Sequence, residues 1–285
     1  MTGDYVSLYI NTAYGHSDIT PFLSLMFLFM GRIFPIITLV PFFGGKVLPR
    51  PVKVTFAISL FAIFLPQLIF VTKTPIDFNL TLVFFLAKEV FVGTLMGYLL
   101  SLPFIIVQCA GMMIDHQRGA SSLMVNDPTI QNQSSPLGTM FNLVLIYLFF
   151  LMDGPFIVLN ILSESFNILP PDQMMSASIF DPKSLVMKKI IGILGNVMII
   201  STQLAAPALI MILMTDFFLG IANRLAPQVQ ITFLGMPLKS LLALVIVFFG
   251  WKLFNEEIVK QGYQSLNYMS QFIKQFAPAG AAPTP

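Results

Sequence analysis

The chain has 285 residues, of which 10% are charged and 56% hydrophobic, and its mean hydropathy is +0.84. A soluble domain is about one quarter charged, so this balance excludes one and points to a polytopic integral membrane protein. A net charge of +2 gives no basis for a nucleic-acid partner, and the single cysteine, Cys109, excludes an intrachain disulfide or a cysteine metal cluster.

Residues 1–20 read as a polar tail, with Asp4 and Asp18 but no Lys or Arg ahead of the first apolar run. That run lacks the basic flank of a cleaved signal peptide and is expected to stay in the mature protein. About six hydrophobic segments follow within a membrane domain spanning 21–255. Pro21 to Phe43 is interrupted by Arg32, Pro35 and Pro41; a loop carrying Lys46, Arg50 and Lys53 separates it from Val54 to Val71. Thr81 to Ala110 is longer than an untilted span needs and carries Lys88, Glu89 and Pro103, where a proline should kink or end a helix. A polar stretch, 111–138, precedes Met140 to Leu162, which is broken at Asp153-Gly154-Pro155. A second polar stretch, 163–189, has the turn signals Pro170-Pro171 and Asp181-Pro182. Ile190 to Ile221 and Leu238 to Phe254 complete the set, and 256–285 passes from amphipathic to a tail of disordered composition. Lys and Arg divide almost evenly between the two sides, so the positive-inside rule does not orient the chain.

Charges stand well inside several apolar segments: Arg32, Lys88, Glu89, Asp153 and Asp216. Each costs at least about 2.5–3.5 kcal/mol at the centre of a lipid-facing helix. Irregular backbone at that depth survives only against protein or a wet cavity. The helices are therefore expected to pack against other protein, with the chain as one subunit of a larger assembly. Arg32 should satisfy a carboxylate or helix-end carbonyls on a neighbouring helix. Lys88 and Glu89 point about 100° apart on a helix, so the two are read as taking separate interhelix or intersubunit partners, a reading favoured over a proton relay. Gly93-x-x-x-Gly97 permits close helix approach.

The densest polar punctuation lies between Gln203 and Lys239, where an apolar helix carrying Asp216 meets Arg224, the turn Ala226-Pro227-Gln228 and a corner at Gly235, Pro237 and Lys239. Asp216 and Arg224 are separated by about 12 Å along a helix axis and about 80° around it, too far to pair directly. Each should seek a partner on another helix. Between Ala110 and Pro136, the residues Gly111, Met112, Met113, Gly119, Leu123 and Met124 mix small, flexible and apolar side chains in a segment too polar to span. Methionine suits irregular contacts. Two readings stand: a plug or constriction in a pore, or an ordinary loop docked on its own helices, the latter favoured by the residues alone.

No enzyme is visible. His16 and His116 are isolated, there is no H-E-x-x-H or G-x-S-x-G, and Gly44-Gly45-Lys46 lacks the rest of a phosphate loop. Asp115-His116 reads as part of a solvated loop in preference to an acid–base dyad.

Several of these residues form a recognisable series. Arg32, Pro35 and Pro41 with Phe43-Gly44-Gly45, then Lys88-Glu89 with Gly93 and Gly97, stand in the first half. Asp115, Gln117, Gly119, Asp127-Pro128, Gln133, Ser165-Phe166 and Pro170 continue it, and Pro207, Asp216, Gly220, Arg224, Ala226-Pro227-Gln228, Pro237 and Lys239 close it. Over roughly Met30 to Phe254 the chain resembles the type III secretion export-apparatus family called FliR in flagella and SctT (SpaR, YscT) in injectisomes. Met236-Pro237-Leu238-Lys239-Ser240 looks closer to the injectisome branch. The resemblance implies an all-α protein whose broken helices pack as hairpins in a helical export gate at the bacterial inner membrane. It implies a single copy beside five P/R-type and four Q/S-type subunits, an FlhB/SctU-type switch protein at the entrance, rod or needle proteins above, and unfolded proteins in transit. It also implies a plug matching Gly111 to Asp127, polar assembly or gating roles for Arg32, Lys88, Glu89, Asp216, Arg224, Gln228 and Lys239, and no cofactor. A flagellar gate subunit is the near alternative; an ion-coupled secondary transporter using Glu89, Asp153 and Asp216 is the distant one.

Overall fold

A computed structural model describes residues 20–45, 48–72, 74, 76–119, 135–175, 185–225 and 231–274. Those residues hold eight α-helices, one short 3₁₀ turn and no strand. In chain order the helices are α1 (Thr20–Leu39), α2 (Arg50–Val71), α3 (Leu80–Gln117), α4 (Pro136–Leu151), α5 (Gly154–Ile168), α6 (Leu185–Leu225), α7 (Ile231–Phe249) and α8 (Trp251–Lys274), with the 3₁₀ turn at Pro41–Phe43. Four helices are long and apolar enough to cross a membrane, α1, α2, α3 and the Gly195–Leu225 part of α6. Two bent pairs, α4 with α5 and α7 with α8, bring the number to six if each is one broken span. The chain is an all-α, multi-pass membrane protein.

The chain divides into two compact units. One comprises Met1–Ser101, Asp153–Lys189 and Ser265–Pro285; the other comprises Leu102–Met152 and Ile190–Gln264. In the first unit, α1 packs on α2 and α5 around Phe29, which is fully buried. Its ring stacks on Phe166 at 5.5 Å and meets Phe61 and Phe64 at 5.6 and 5.8 Å. Such pairs add to plain area burial. The spacing Gly93-x-x-x-Gly97 brings α3 onto the backbone of α1: a Cβ on Gly93 would fall inside the Arg32 main chain, and one on Gly97 would lie 3.1 Å from Ile36 Cα. Only hydrogen at Gly93 allows the approach, and Gly97 leaves its crossing point uncrowded.

In the second unit, α3 meets α4 at another glycine crossing. A Cβ on Gly111 would overlap Gly138, and one on Gly138 would lie 2.9 Å from the Gln108 carbonyl. Phe104 meets Phe149 at 5.9 Å, and Phe141 meets Phe254 of α8 at 4.3 Å.

Helix ends differ from the sequence reading in three places. Helix α3 continues through Pro103 and on to Gln117, because the polar residues of its last turns find partners without leaving the helix. Residues 163–168 belong to α5 and 185–189 to α6, and the amphipathic C-terminal stretch is helical to Lys274. The break at Asp153 stands where expected. Asp153 is the N-cap of α5 in the left-handed region at φ 54°, and it is exposed. Its charge therefore sits at a helix boundary and not inside a helix.

Candidate functional site

The mid-segment charges resolve into distinct polar clusters. The first lies in the unit built on α1, α3 and α5, and its centre is Arg32. Guanidinium and carboxylate meet in a two-pronged pair: Arg32 Nε donates to Glu89 Oε2 at 2.5 Å and Nη2 to Oε1 at 2.8 Å. Nη2 also donates to the Leu169 carbonyl at 2.9 Å and Nη1 to Ser165 Oγ at 3.0 Å. The ring of Phe166 covers the guanidinium at 4.1 Å. Both kinds of partner expected for Arg32 are present.

Lys88 completes the cluster. Its ammonium donates to the carbonyls of Pro170, Pro171 and Gln173 at 2.9, 3.2 and 2.8 Å. It also lies 2.9 Å from Glu89 Oε1, so the two residues pair with each other besides taking the separate partners expected of them. The 100° separation of their Cβ directions is overcome by the length of the lysine stem, which curls round the helix towards a carboxylate already held by Arg32. The carbonyls that receive Lys88 follow directly on the C-terminus of α5, the helix end that favours cations. Arg32 and Glu89 side chains are wholly buried and Lys88 nearly so. All three therefore have partners within the chain.

The second cluster lies where α3 ends and α4 begins. Asp115 is fully buried, so its placement in a solvated loop is corrected. Its Oδ1 accepts from Arg118 Nε at 2.7 Å, and its Oδ2 accepts from Ser135 Oγ and from the Leu137 N–H at 2.9 Å. Ser135 is the N-cap of α4, accepting from the Gly138 N–H at 2.9 Å. A carboxylate from α3 thus serves the N-terminus of α4, the end that favours negative charge. Arg118 Nη1 continues to Ser240 Oγ on α7 at 2.9 Å. His116 is exposed and joins none of this. Sequence reasoning matched Asp115 and Ser165 to the family series without ranking either among the site residues. Their hydrogen-bonding side chains inside glycine-crossed helices were the available signal.

The third cluster is an ion pair between Lys239 of α7 and Asp216 of α6, whose side chains are 23% and 37% exposed. Asp216 does find its partner on another helix. Arg224 is exposed on the last turn of α6, a position the helix dipole favours. Of the residues proposed for a plug, Gly111 is buried in the α3–α4 crossing, and Met112 and Met113 are half-buried on α3. Gly119 stands just beyond the α3 terminus at φ 84°. Leu123, Met124 and Gln228 lie outside the described residues. Among the described residues, no group of three His, Cys, Asp or Glu side chains could hold a metal.

The family model for bacterial export proteins, family 1, matches residues 23–263. The chain belongs to the bacterial export proteins, family 1. It is 30% identical over 221 residues to surface presentation of antigens protein SpaR of Shigella flexneri, covering 76% of this chain and 81% of that one. It is 34% identical over 157 residues to secretion system apparatus protein SsaT of Salmonella typhimurium, covering 55% and 59%. It is 28% identical over 207 residues to flagellar biosynthetic protein FliR of Pectobacterium carotovorum, covering 73% and 76%. The matched range contains all three polar clusters, and the resemblance drawn from the sequence is borne out at the level of the family.

Proposed function

We propose that this chain is an export-gate subunit of a bacterial type III protein secretion system, forming part of the channel that carries unfolded proteins across the inner membrane. The family match over 23–263, with relatives named for secretion apparatus on both sides of the injectisome–flagellum division, carries the reading. The identities to SpaR of Shigella flexneri and to SsaT exceed that to FliR of Pectobacterium carotovorum, which favours an injectisome. In this role the chain is a single copy among five P/R-type and four Q/S-type subunits. It works with an FlhB/SctU-type switch protein and rod or needle proteins, and the residues matching the family's plug, Gly111 to Asp127, restrict the channel.

The structure weakens the transporter alternative on physical grounds. Glu89 is fully buried and already receives Arg32 and Lys88, so a coupling ion would have to displace two cations from a buried site. Asp153 lies at an exposed helix boundary. The deciding experiment is a mild-detergent pull-down of the chain with mass spectrometry of what accompanies it. Two small hydrophobic subunits recovered in several copies per bait are expected. A stable, monodisperse chain that binds a small substrate alone would overturn the proposal.

A further inference from the structure

The backbone that follows α5 is drawn round one point. Pro170 to Gln173 form a turn, closed by the Gln173 N–H on the Pro170 carbonyl at 3.3 Å. Pro171 takes its second position, where a fixed φ suits a turn. The turn brings the carbonyls of Pro170, Pro171 and Gln173 to 2.9, 3.2 and 2.8 Å from Lys88 Nζ. Glu89 Oε1 stands 2.9 Å away as a further oxygen. The ring of Phe85 lies 5.6 Å from the same ammonium, within cation–π range. Carbonyls, a carboxylate and an aromatic face all offer negative potential, and a cation is what satisfies them together. Carbonyl oxygens that stand in for a hydration shell also hold K⁺ in channels. The turn is fastened from its other side by Thr74, whose N–H and Oγ donate to Asp172 Oδ2 at 3.1 and 3.0 Å.

We infer that this turn and Glu89 form a monovalent-cation site, which the Lys88 ammonium occupies as a tethered ion. Lys88 is thereby the positioning residue for the connection that leaves α5. Charge and shape both select a single compact positive charge. Among the described residues, Glu89 is the one carboxylate paired with the ammonium, and it is shared with Arg32. A divalent ion would find too little negative charge there. Mg²⁺ and Ca²⁺ also take their oxygens at about 2.0–2.1 and 2.3–2.6 Å, closer than the oxygens round Lys88 stand. A guanidinium does not fit either, because its donors diverge in a rigid planar fork. An ammonium is a point charge that turns three donors towards acceptors gathered round it. With the ion carried by the chain itself, the turn closes whatever salts surround the protein.

The test follows thermal unfolding of the detergent-solubilised full chain in potassium, ammonium and choline chloride at one ionic strength. Amide exchange at Gln173, whose N–H closes the turn, reports on the turn itself. Lys88→Ala removes the tethered ion and leaves its space open. In choline chloride this variant should melt below the parent chain, with faster exchange at Gln173. Potassium or ammonium should reverse both changes, the melting temperature rising by an equal step for each tenfold increase of the ion above its dissociation constant. Lys88→Met removes the charge but fills the space with an apolar stem, so it should be destabilised without responding to either ion. The parent chain, its site already filled, should behave alike in all three salts. A Lys88→Ala chain as indifferent to potassium and ammonium as Lys88→Met would overturn the cation site and leave Lys88 an ordinary buried donor. Should Lys88→Ala not be recovered folded, Lys88→Arg decides, since it keeps the charge and changes only its shape. It should melt below the parent chain and exchange faster at Gln173. Parent-like melting and exchange in Lys88→Arg would overturn the site.

Discussion

Arg32–Glu89–Lys88 and Asp216–Lys239 each join a carboxylate to basic side chains between apolar helices, yet their surroundings are opposite. The first cluster is closed. Its charges are buried, and serine, carbonyl and aromatic groups of the same chain surround them. The second is open, a single pair on a face of exposed phenylalanines and leucines. A charge inside an apolar segment does not by itself mark an interface, because partners within the chain can cover it.

The largest effect should come from opening the closed cluster. Arg32→Leu leaves Glu89 facing Lys88 alone and strips partners from Ser165 and the Leu169 carbonyl. Breaking a buried pair from one side costs about 3–5 kcal/mol, against a total stability of about 5–15 kcal/mol. The detergent-solubilised chain carrying Arg32→Leu should lose most of its protease-resistant fraction. A melting temperature equal to that of the parent chain would show that the cluster does not hold the fold, and the contrast with Asp216–Lys239 would collapse.

That contrast was only half legible in the sequence. The apolar runs, the break at Asp153 and the close approach at Gly93 and Gly97 could be read directly, because length, left-handed turn chemistry and small-residue spacing are local signals. Arg32 could be assigned a class of partner but not a particular one, since Glu89 and Leu169 lie far along the chain. The pairing of Lys88 with Glu89 was missed because backbone periodicity fixes Cβ directions and says nothing of where a four-carbon stem ends. The last turns of α3 looked like a loop for a related reason. Asp115 is polar by composition but stays helical by bonding Ser135, Leu137 and Arg118, which follows the last turn and reaches on to Ser240.

The Asp115 cluster offers an intermediate case. Its carboxylate is buried while Arg118 keeps a little exposure, so water can partly replace what the pair loses. Asp115→Asn retains an acceptor for Ser135 and the Leu137 N–H but removes the charge opposite Arg118. Loss of a hydrogen bond to a charged group costs about 1.5–3 kcal/mol, less than opening the Arg32 cluster. Chemical denaturation of the two variants side by side should rank them in that order. The reverse ranking would mean that burial of the carboxylate, and not closure of the whole cluster, sets the cost.

The smallest effect discriminates most finely, because its sign changes between the two regions. Gly93→Ala drives a methyl group into the Arg32 backbone, where no side chain can rotate aside, and overpacking of this kind costs about 1–3 kcal/mol. Gly220, on the exposed face of α6, has nothing within 4 Å of where its Cβ would stand. Replacing a helix-interior glycine by alanine in open space gains roughly 0.5–1 kcal/mol through reduced backbone freedom in the unfolded chain. Gly220→Ala should therefore raise the melting temperature of the isolated chain slightly while Gly93→Ala lowers it. If Gly220→Ala were destabilising in the isolated chain, the α6 face would already be covered by the chain itself.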